Sequence, residues 1–124
     1  MITNGIDLIE IGRIKKSLES PSFFEKVFGE EEKKELIKKN IPCESVAGAF
    51  AAKEAFSKAL KTGIRNFSLS EVQVLHDELG APYLSLSGNA LEIAKKKNLS
   101  FALSITHTKE YAAAFVTAFT NERN

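Results

Sequence analysis

The stretch Phe50-Ala51-Ala52-Lys53-Glu54-Ala55-Phe56-Ser57-Lys58 sets charged residues into a segment that is otherwise apolar almost all round. From Val46 to Lys61 the residues are mostly strong helix formers, with no glycine or proline after Gly48, and the pattern predicts a helix. At about 100° per residue, Val46, Phe50, Phe56 and Leu60 spread over one side, while Ala51, Ala52, Ala55 and Ala59 make a small-residue side that another element can approach closely. Lys53, Glu54, Ser57, Lys58 and Lys61 are left in one sector at the margin of the large apolar side, as if they lined a cleft. Glu54 and Lys58 lie one turn apart, and on an open helix such a pair stabilises by only ~0.3–0.5 kcal/mol. A lysine within an apolar stripe needs a partner or water for its ammonium. The arrangement therefore points to a site for an anion or a metal.

Toward the N-terminus, Ile2 to Ile9 alternates and predicts a strand with Ile2, Ile6 and Leu8 on one face and Thr3, Gly5 and Asp7 on the other. Ile11, Ile14 and Leu18 recur at helical spacing, with Arg13 and Lys16 outside, up to a stop near Ser20-Pro21. Phe23, Phe24, Val27 and Phe28 predict a short aromatic helix or turn closed by Gly29, followed by a charged helix from about Glu30 to Lys39 and a break at Asn40-Ile41-Pro42. After Gly63 the period changes to two. Glu71 to Leu75 and Pro82 to Leu86 predict a hairpin around Asp77-Glu78-Leu79-Gly80, with Pro82 opening its second strand, where a missing donor is tolerated. Ser87-Gly88-Asn89 leads into a helix through Lys97, and Phe101 to Thr106 with Tyr111 to Phe119 predicts a second hairpin turning at Thr108-Lys109-Glu110. The expected class is α+β, an antiparallel meander in a single short sheet closing the core against the long helix.

At 124 residues with 44% hydrophobic content, the chain suits one domain, residues 1–124, with its own core. Seventeen basic against sixteen acidic residues give a charge of +1, which supplies no net field for nucleic acid. The one basic run, Lys95-Lys96-Lys97, ends a predicted helix, where the dipole favours cations. A single cysteine, Cys43, excludes an internal disulfide and any multi-cysteine zinc site. No window approaches the roughly 18 apolar residues of a membrane span, and no signal-peptide pattern opens the chain, so a soluble cytoplasmic protein is expected.

Among residues able to do chemistry, Asp7 follows Gly5 by two positions on one strand face, and the absent side chain at Gly5 leaves room beside its carboxylate. Mg²⁺ takes oxygen ligands, commonly one or two carboxylates plus substrate phosphate and water. Asp7 and Glu54 would suffice. Lys53 and Lys58 could neutralise further phosphate charge, since phosphoryl transfer depends on positioning and electrostatic stabilisation. His107 ends a predicted strand among Ser104, Thr106 and Thr108, a set suited to a phosphate-contacting edge or to a hydrogen-bonded turn. His76 begins a turn and reads as a surface residue. No G-x-S-x-G context and no glycine-rich phosphate loop is present.

These segments, Gly5-Ile6-Asp7, Phe50-Ala51-Ala52-Lys53-Glu54-Ala55-Phe56-Ser57-Lys58, Gly80-Ala81-Pro82 and Ser104-Ile105-Thr106-His107-Thr108, resemble in type and order those of the bacterial holo-[acyl-carrier-protein] synthases, the small phosphopantetheinyl transferases. The resemblance runs over nearly the whole length and implies a phosphopantetheinyl transferase-like fold. It implies transfer of the 4′-phosphopantetheine arm of coenzyme A to a serine of apo acyl carrier protein, in support of fatty acid biosynthesis. Carried over by position, Asp7 and Glu54 would ligate Mg²⁺, and Lys58 would contact the pyrophosphate with Lys53 nearby. The serine's proton would pass to Glu54 or to a metal-bound water, which the sequence leaves open. The resemblance also implies a homotrimer with the site between subunits. Lys61, Gly80, Pro82, His107 and Thr108 would then lie near coenzyme A, and Arg13, Lys16 and Phe24 would receive the carrier protein. Many relatives carry an arginine where this chain has Ala49, and Arg65 or Lys61 could supply the phosphate contact instead. Two other classes stay in view. One is a catalytically silent module binding a nucleotide or an acidic helix through Lys53, Lys58 and Arg13, and the other is a hydrolase releasing phosphopantetheine to water.

Overall fold

The computed structural model describes residues 1–61 and 66–121. Its elements run β1 (Ile2–Glu10), α1 (Ile11–Ser17), α2 (Pro21–Val27), α3 (Glu30–Lys38), α4 (Cys43–Ala59), β2 (Val72–His76), β3 (Pro82–Leu86), α5 (Gly88–Lys96), β4 (Leu99–His107) and β5 (Tyr111–Thr120), with a 3-10 turn at Leu69–Glu71. Pro21 opens α2, where its missing N–H costs nothing. Asn40 ends the following helix in the left-handed region at φ 65°.

The strands form two antiparallel sheets, β1-β5-β4 and β2-β3, in place of the single sheet expected. The meander is broken because α5 separates β3 from β4, and because the first strand takes the edge of β5. The chain ends are thereby joined: β1 pairs with β5 from Ile2↔Phe119 to Glu10↔Tyr111.

The three-stranded sheet lies on α4 through small residues. Ala112, Ala114, Val116 and Ala118 of β5 and Ala51, Ala55 and Ala59 of α4 are all buried. Gly5 makes the closest approach, since a Cβ built there would stand 2.0 Å from the Ala55 carbonyl oxygen and 2.6 Å from the Ala59 nitrogen. Thr3 Oγ1 donates to the Ala59 carbonyl at 2.6 Å. The β1 face richest in large apolar side chains is the one turned away from α4, leaving Ile2, Ile6 and Leu8 exposed at 72%, 60% and 66%.

Toward β4, α4 buries Phe56 against the rings of Phe67 and Phe101, centroids 5.4 and 4.9 Å away. Burying a side chain of this size stabilises by about 1.5–3 kcal/mol. Phe28 packs against Phe23 and Phe24, which anchors α2. Gln73 on β2 accepts from the Glu31 and Glu32 backbone N–H groups, satisfying donors that the start of α3 leaves without intrahelical partners. Among the described residues, no helix is long and apolar enough to cross a membrane.

Candidate active site

Because Gly5 lets β1 lie against the α4 backbone, Asp7 arrives beside the helix with its carboxylate within reach of side chains projecting from it. Lys58 Nζ donates to Asp7 Oδ1 at 3.1 Å and to the Ile6 carbonyl at 2.9 Å. The Asp7 side chain is 17% exposed and that of Lys58 54%, so the ion pair opens to solvent on the lysine side. Glu54, half-buried, stands one turn before Lys58 and shares its helix face. Thr3 meets the turn of Ala59 and Gly5 that of Ala55, so the strand passes toward the turn that carries Glu54. The structure thus joins one predicted carboxylate, Asp7, to one predicted ammonium, Lys58, across the β1–α4 seam, while Glu54 shares the Lys58 helix face by its spacing.

Lys53 is not brought there. Its side chain is fully buried, and its ammonium donates to Glu32 Oε1, to the Val72 carbonyl at 2.7 Å and to the Leu69 carbonyl at 3.1 Å. The Phe28 ring lies 5.0 Å from the nitrogen. Glu32 in turn accepts from the backbone N–H groups of Gly29 at 2.8 Å and Val74 at 2.9 Å. All three ammonium protons are used, and the carboxylate is held at both oxygens. Burial pushes the Glu32 carboxyl up and the Lys53 ammonium down, each shift being opposed by attraction to the other. The expectation that Lys53 contacts phosphate is therefore corrected: its partner is a carboxylate from α3, and the pair ties α3, α4 and β2 together. The sequence signal was present in the acidic run Glu30-Glu31-Glu32, but a run of three does not say which member turns inward.

The remaining predicted residues lie apart from the Asp7–Lys58 pair within one chain. Lys61 is exposed just past α4 at φ 57°. Gly80, at φ 87°, sits in the β2–β3 turn, where Asp77 Oδ1 accepts from Leu79 and Ala81, and Pro82 opens β3. His107 Nδ1 lies 3.2 Å from the Thr108 carbonyl, and Thr108 Oγ1 accepts from the Tyr111 backbone at 3.1 Å, which makes this edge a hydrogen-bonded turn. Arg13 and Lys16 are exposed on α1, while Phe24 is half-buried and stacked on Phe28. Arg65 lies outside the described residues.

A cavity of about 130 Å³ opens beside Ala49, with Lys39, Ser45, His76 and His107 in its wall. His76 pairs with Glu35 at 3.0 Å, in keeping with a structural or surface reading, yet it also faces this cavity. Neither Lys39 nor His76 stands out from sequence, because nothing in their local pattern announces that α3 and β2 meet the end of β4.

The donor set at the seam suits a hard cation. Asp7 and Glu54 offer oxygen ligands alone, and among the described residues no group of three or more His, Cys, Asp or Glu gathers as a complete metal cage. Oxygen donors are the type Mg²⁺ prefers.

Comparison with known proteins bears on this geometry. Residues 4–116 match the 4′-phosphopantetheinyl transferase superfamily. The chain is 50% identical over 112 residues to the holo-[acyl-carrier-protein] synthase of Alkaliphilus metalliredigens, covering 89% of this chain and 92% of that protein. Among solved structures, it is similar to the holo-[acyl-carrier-protein] synthase of Neisseria meningitidis, with TM-score 0.89, 30% identity and coverage of 97% and 100%. It is likewise similar to the Helicobacter pylori holo-[acyl-carrier-protein] synthase in complex with coenzyme A, with TM-score 0.80, 32% identity and coverage of 96% and 100%.

Proposed function

The chain belongs to the 4′-phosphopantetheinyl transferase superfamily, and from that premise we propose that it is a holo-[acyl-carrier-protein] synthase. It transfers 4′-phosphopantetheine from coenzyme A to a serine of apo acyl carrier protein and releases adenosine 3′,5′-bisphosphate. The observation that carries the reading is the contact of Lys58 with Asp7 across the β1–α4 seam, with Glu54 one turn away on the same helix face. The names of the relatives, and the coenzyme A bound in the Helicobacter pylori protein, support the same substrate pair.

In this reading Asp7 and Glu54 hold Mg²⁺, which when bound neutralises charge on the pyrophosphate. Lys58 binds the pyrophosphate and steadies the charge that develops on the departing bisphosphate, a task suited to a half-exposed ammonium on a rigid helix. The buried Lys53–Glu32 pair holds α4 in place and takes no part in the chemistry. Lys39, His76 and His107, around the cavity beside Ala49, are further candidates beside Lys61 and Arg65 for the phosphate contact that the resemblance implies for an arginine at the position of Ala49. Gly80, Pro82 and Thr108 serve coenzyme A from a neighbouring subunit.

The exposed face of β1 and β5 supports a homotrimer. Ile2, Ile6, Leu8 and Phe115 are exposed together on it, an apolar face suited to covering by another copy. Arg13 and Lys16, exposed on α1, present positive charge to the acidic carrier protein, and Phe24 offers a partly open ring. Residues 1–124 act as one domain, in the cytoplasm, and the product serves fatty acid synthesis. Incubating the protein with coenzyme A, Mg²⁺ and apo acyl carrier protein adds one phosphopantetheine mass to the carrier. An unchanged carrier mass rejects the transferase, and phosphopantetheine appearing without the carrier identifies a hydrolase.

A further inference from the structure

Lys58 occupies the position on Asp7 that a metal ion needs. Its ammonium sits on Asp7 Oδ1 and on the Ile6 carbonyl, so the carboxylate is paired with a cation from its own chain. The contrast with Lys53 shows how loosely it is held. Lys53 spends all three protons on buried acceptors, whereas Lys58 makes two bonds in the described structure and keeps 54% of its side chain exposed. An ion pair of that exposure is weak, and a four-carbon stem lets the ammonium swing away at little cost. A divalent ion arriving at Asp7 meets this positive charge as a competitor. If pyrophosphate arrives as well, the ammonium has a new and more negative partner within reach.

We propose that Lys58 couples divalent-cation binding to coenzyme A binding: without substrate its ammonium holds Asp7 and opposes the metal, and with pyrophosphate present it moves onto a phosphate oxygen and releases the carboxylate. This rests on the reading of Asp7 and Glu54 as the metal ligands. It follows that the free protein retains Mg²⁺ poorly and that metal and coenzyme A enter as a mutually dependent pair. The dependence is reciprocal, since a ligand that strengthens a second ligand is strengthened by it to the same degree.

The test measures Mn²⁺ binding by electron paramagnetic resonance, and Mg²⁺ binding by calorimetry, on the wild-type protein, Lys58→Met and Lys58→Arg, each with and without coenzyme A and with no carrier protein. Without coenzyme A, Lys58→Met binds the cation more tightly than wild type, by up to about 5-fold, the scale of a half-exposed ion pair. Coenzyme A then tightens cation binding in wild type and in Lys58→Arg, and much less in Lys58→Met. Cation affinity in Lys58→Met equal to or weaker than wild type without coenzyme A overturns the coupling. If coenzyme A promotes cation binding equally in all three proteins, the coupling falls while the metal reading stands. Absence of cation binding in every protein, with coenzyme A or without, overturns both.

Discussion

Lys53 and Lys58 leave the same helix on either side of Glu54 and end in opposite surroundings. The first lies wholly inside, over an aromatic ring and between a carboxylate and two backbone carbonyls. The second lies half in water, on a carboxylate of the first strand. Both ammonium groups are paired with acids, so pairing alone does not separate structure from chemistry. What separates them is saturation. A group whose hydrogen-bonding capacity is fully spent can only hold things together, whereas one with capacity left and an open side can meet a substrate.

The largest expected effect lies at the saturated pair. Lys53→Met leaves the buried Glu32 carboxylate without its cation, held only by the Gly29 and Val74 N–H groups, and should lower the unfolding free energy by about 3–5 kcal/mol in urea titrations. Replacing both partners with apolar residues of similar volume should recover most of that loss. A small cost for Lys53→Met would break the contrast.

Asp7→Ala and Glu54→Ala probe the open side. Each should reduce phosphopantetheine transfer by at least ~10²- to 10³-fold, the scale of losing one preorganised electrostatic group. The melting temperature should move far less than for Lys53→Met. Loss of activity together with comparable loss of stability would make these carboxylates structural.

Gly5→Ala tests the seam that joins the two regions. Its methyl would enter backbone atoms of α4, which cannot turn aside as a flexible side chain can. The expected cost is about 1–3 kcal/mol of stability. Transfer should fall further than Lys53→Met makes it fall at matched folded fraction, because the strand carrying Asp7 is displaced.

The smallest effect is one of pH. Burial raises the Glu32 carboxyl in the folded chain, so the native state holds that proton more tightly than the unfolded state does. Its contribution is complete below the ordinary carboxylate value of 4.5 and is lost as pH rises through the folded-state value. Wild-type unfolding free energy should therefore decline more steeply with pH just above 4.5 than that of Glu32→Gln. Parallel curves would show that the carboxyl is not raised.

Much of the fold was legible before any coordinates, because it is written in short-range periodicity. The α4 pattern, the alternation of β1 and the two hairpins involve neighbours a few residues apart, and their limits agree with the structure within a few residues. The division into two sheets was not legible, since nothing local tells β5 that its second neighbour is β1. Within the site the same line holds. Asp7 and Lys58 were each picked out by residue type and helix sector, but their contact was not, and the room expected beside Gly5 is filled by the α4 backbone. The fate of Lys53 depended on Glu32, an acid 21 positions earlier on a different helix. The charged sector of α4 looked uniform in sequence because helical periodicity places Cβ atoms; where a long side chain ends is decided by what else is packed nearby.

The pairing of the first strand with the last also sets a timetable for synthesis. Asp7 leaves the ribosome well ahead of β5, so β1 gains its partner only when Tyr111–Thr120 have followed. At about 5–20 residues per second the interval lasts several seconds. Throughout it Ile2, Ile6 and Leu8 lie on an unpaired strand, and Asp7 has no sheet to stand in. The strand that carries Asp7 is therefore among the last to be locked in place, when β5 comes to lie beside it.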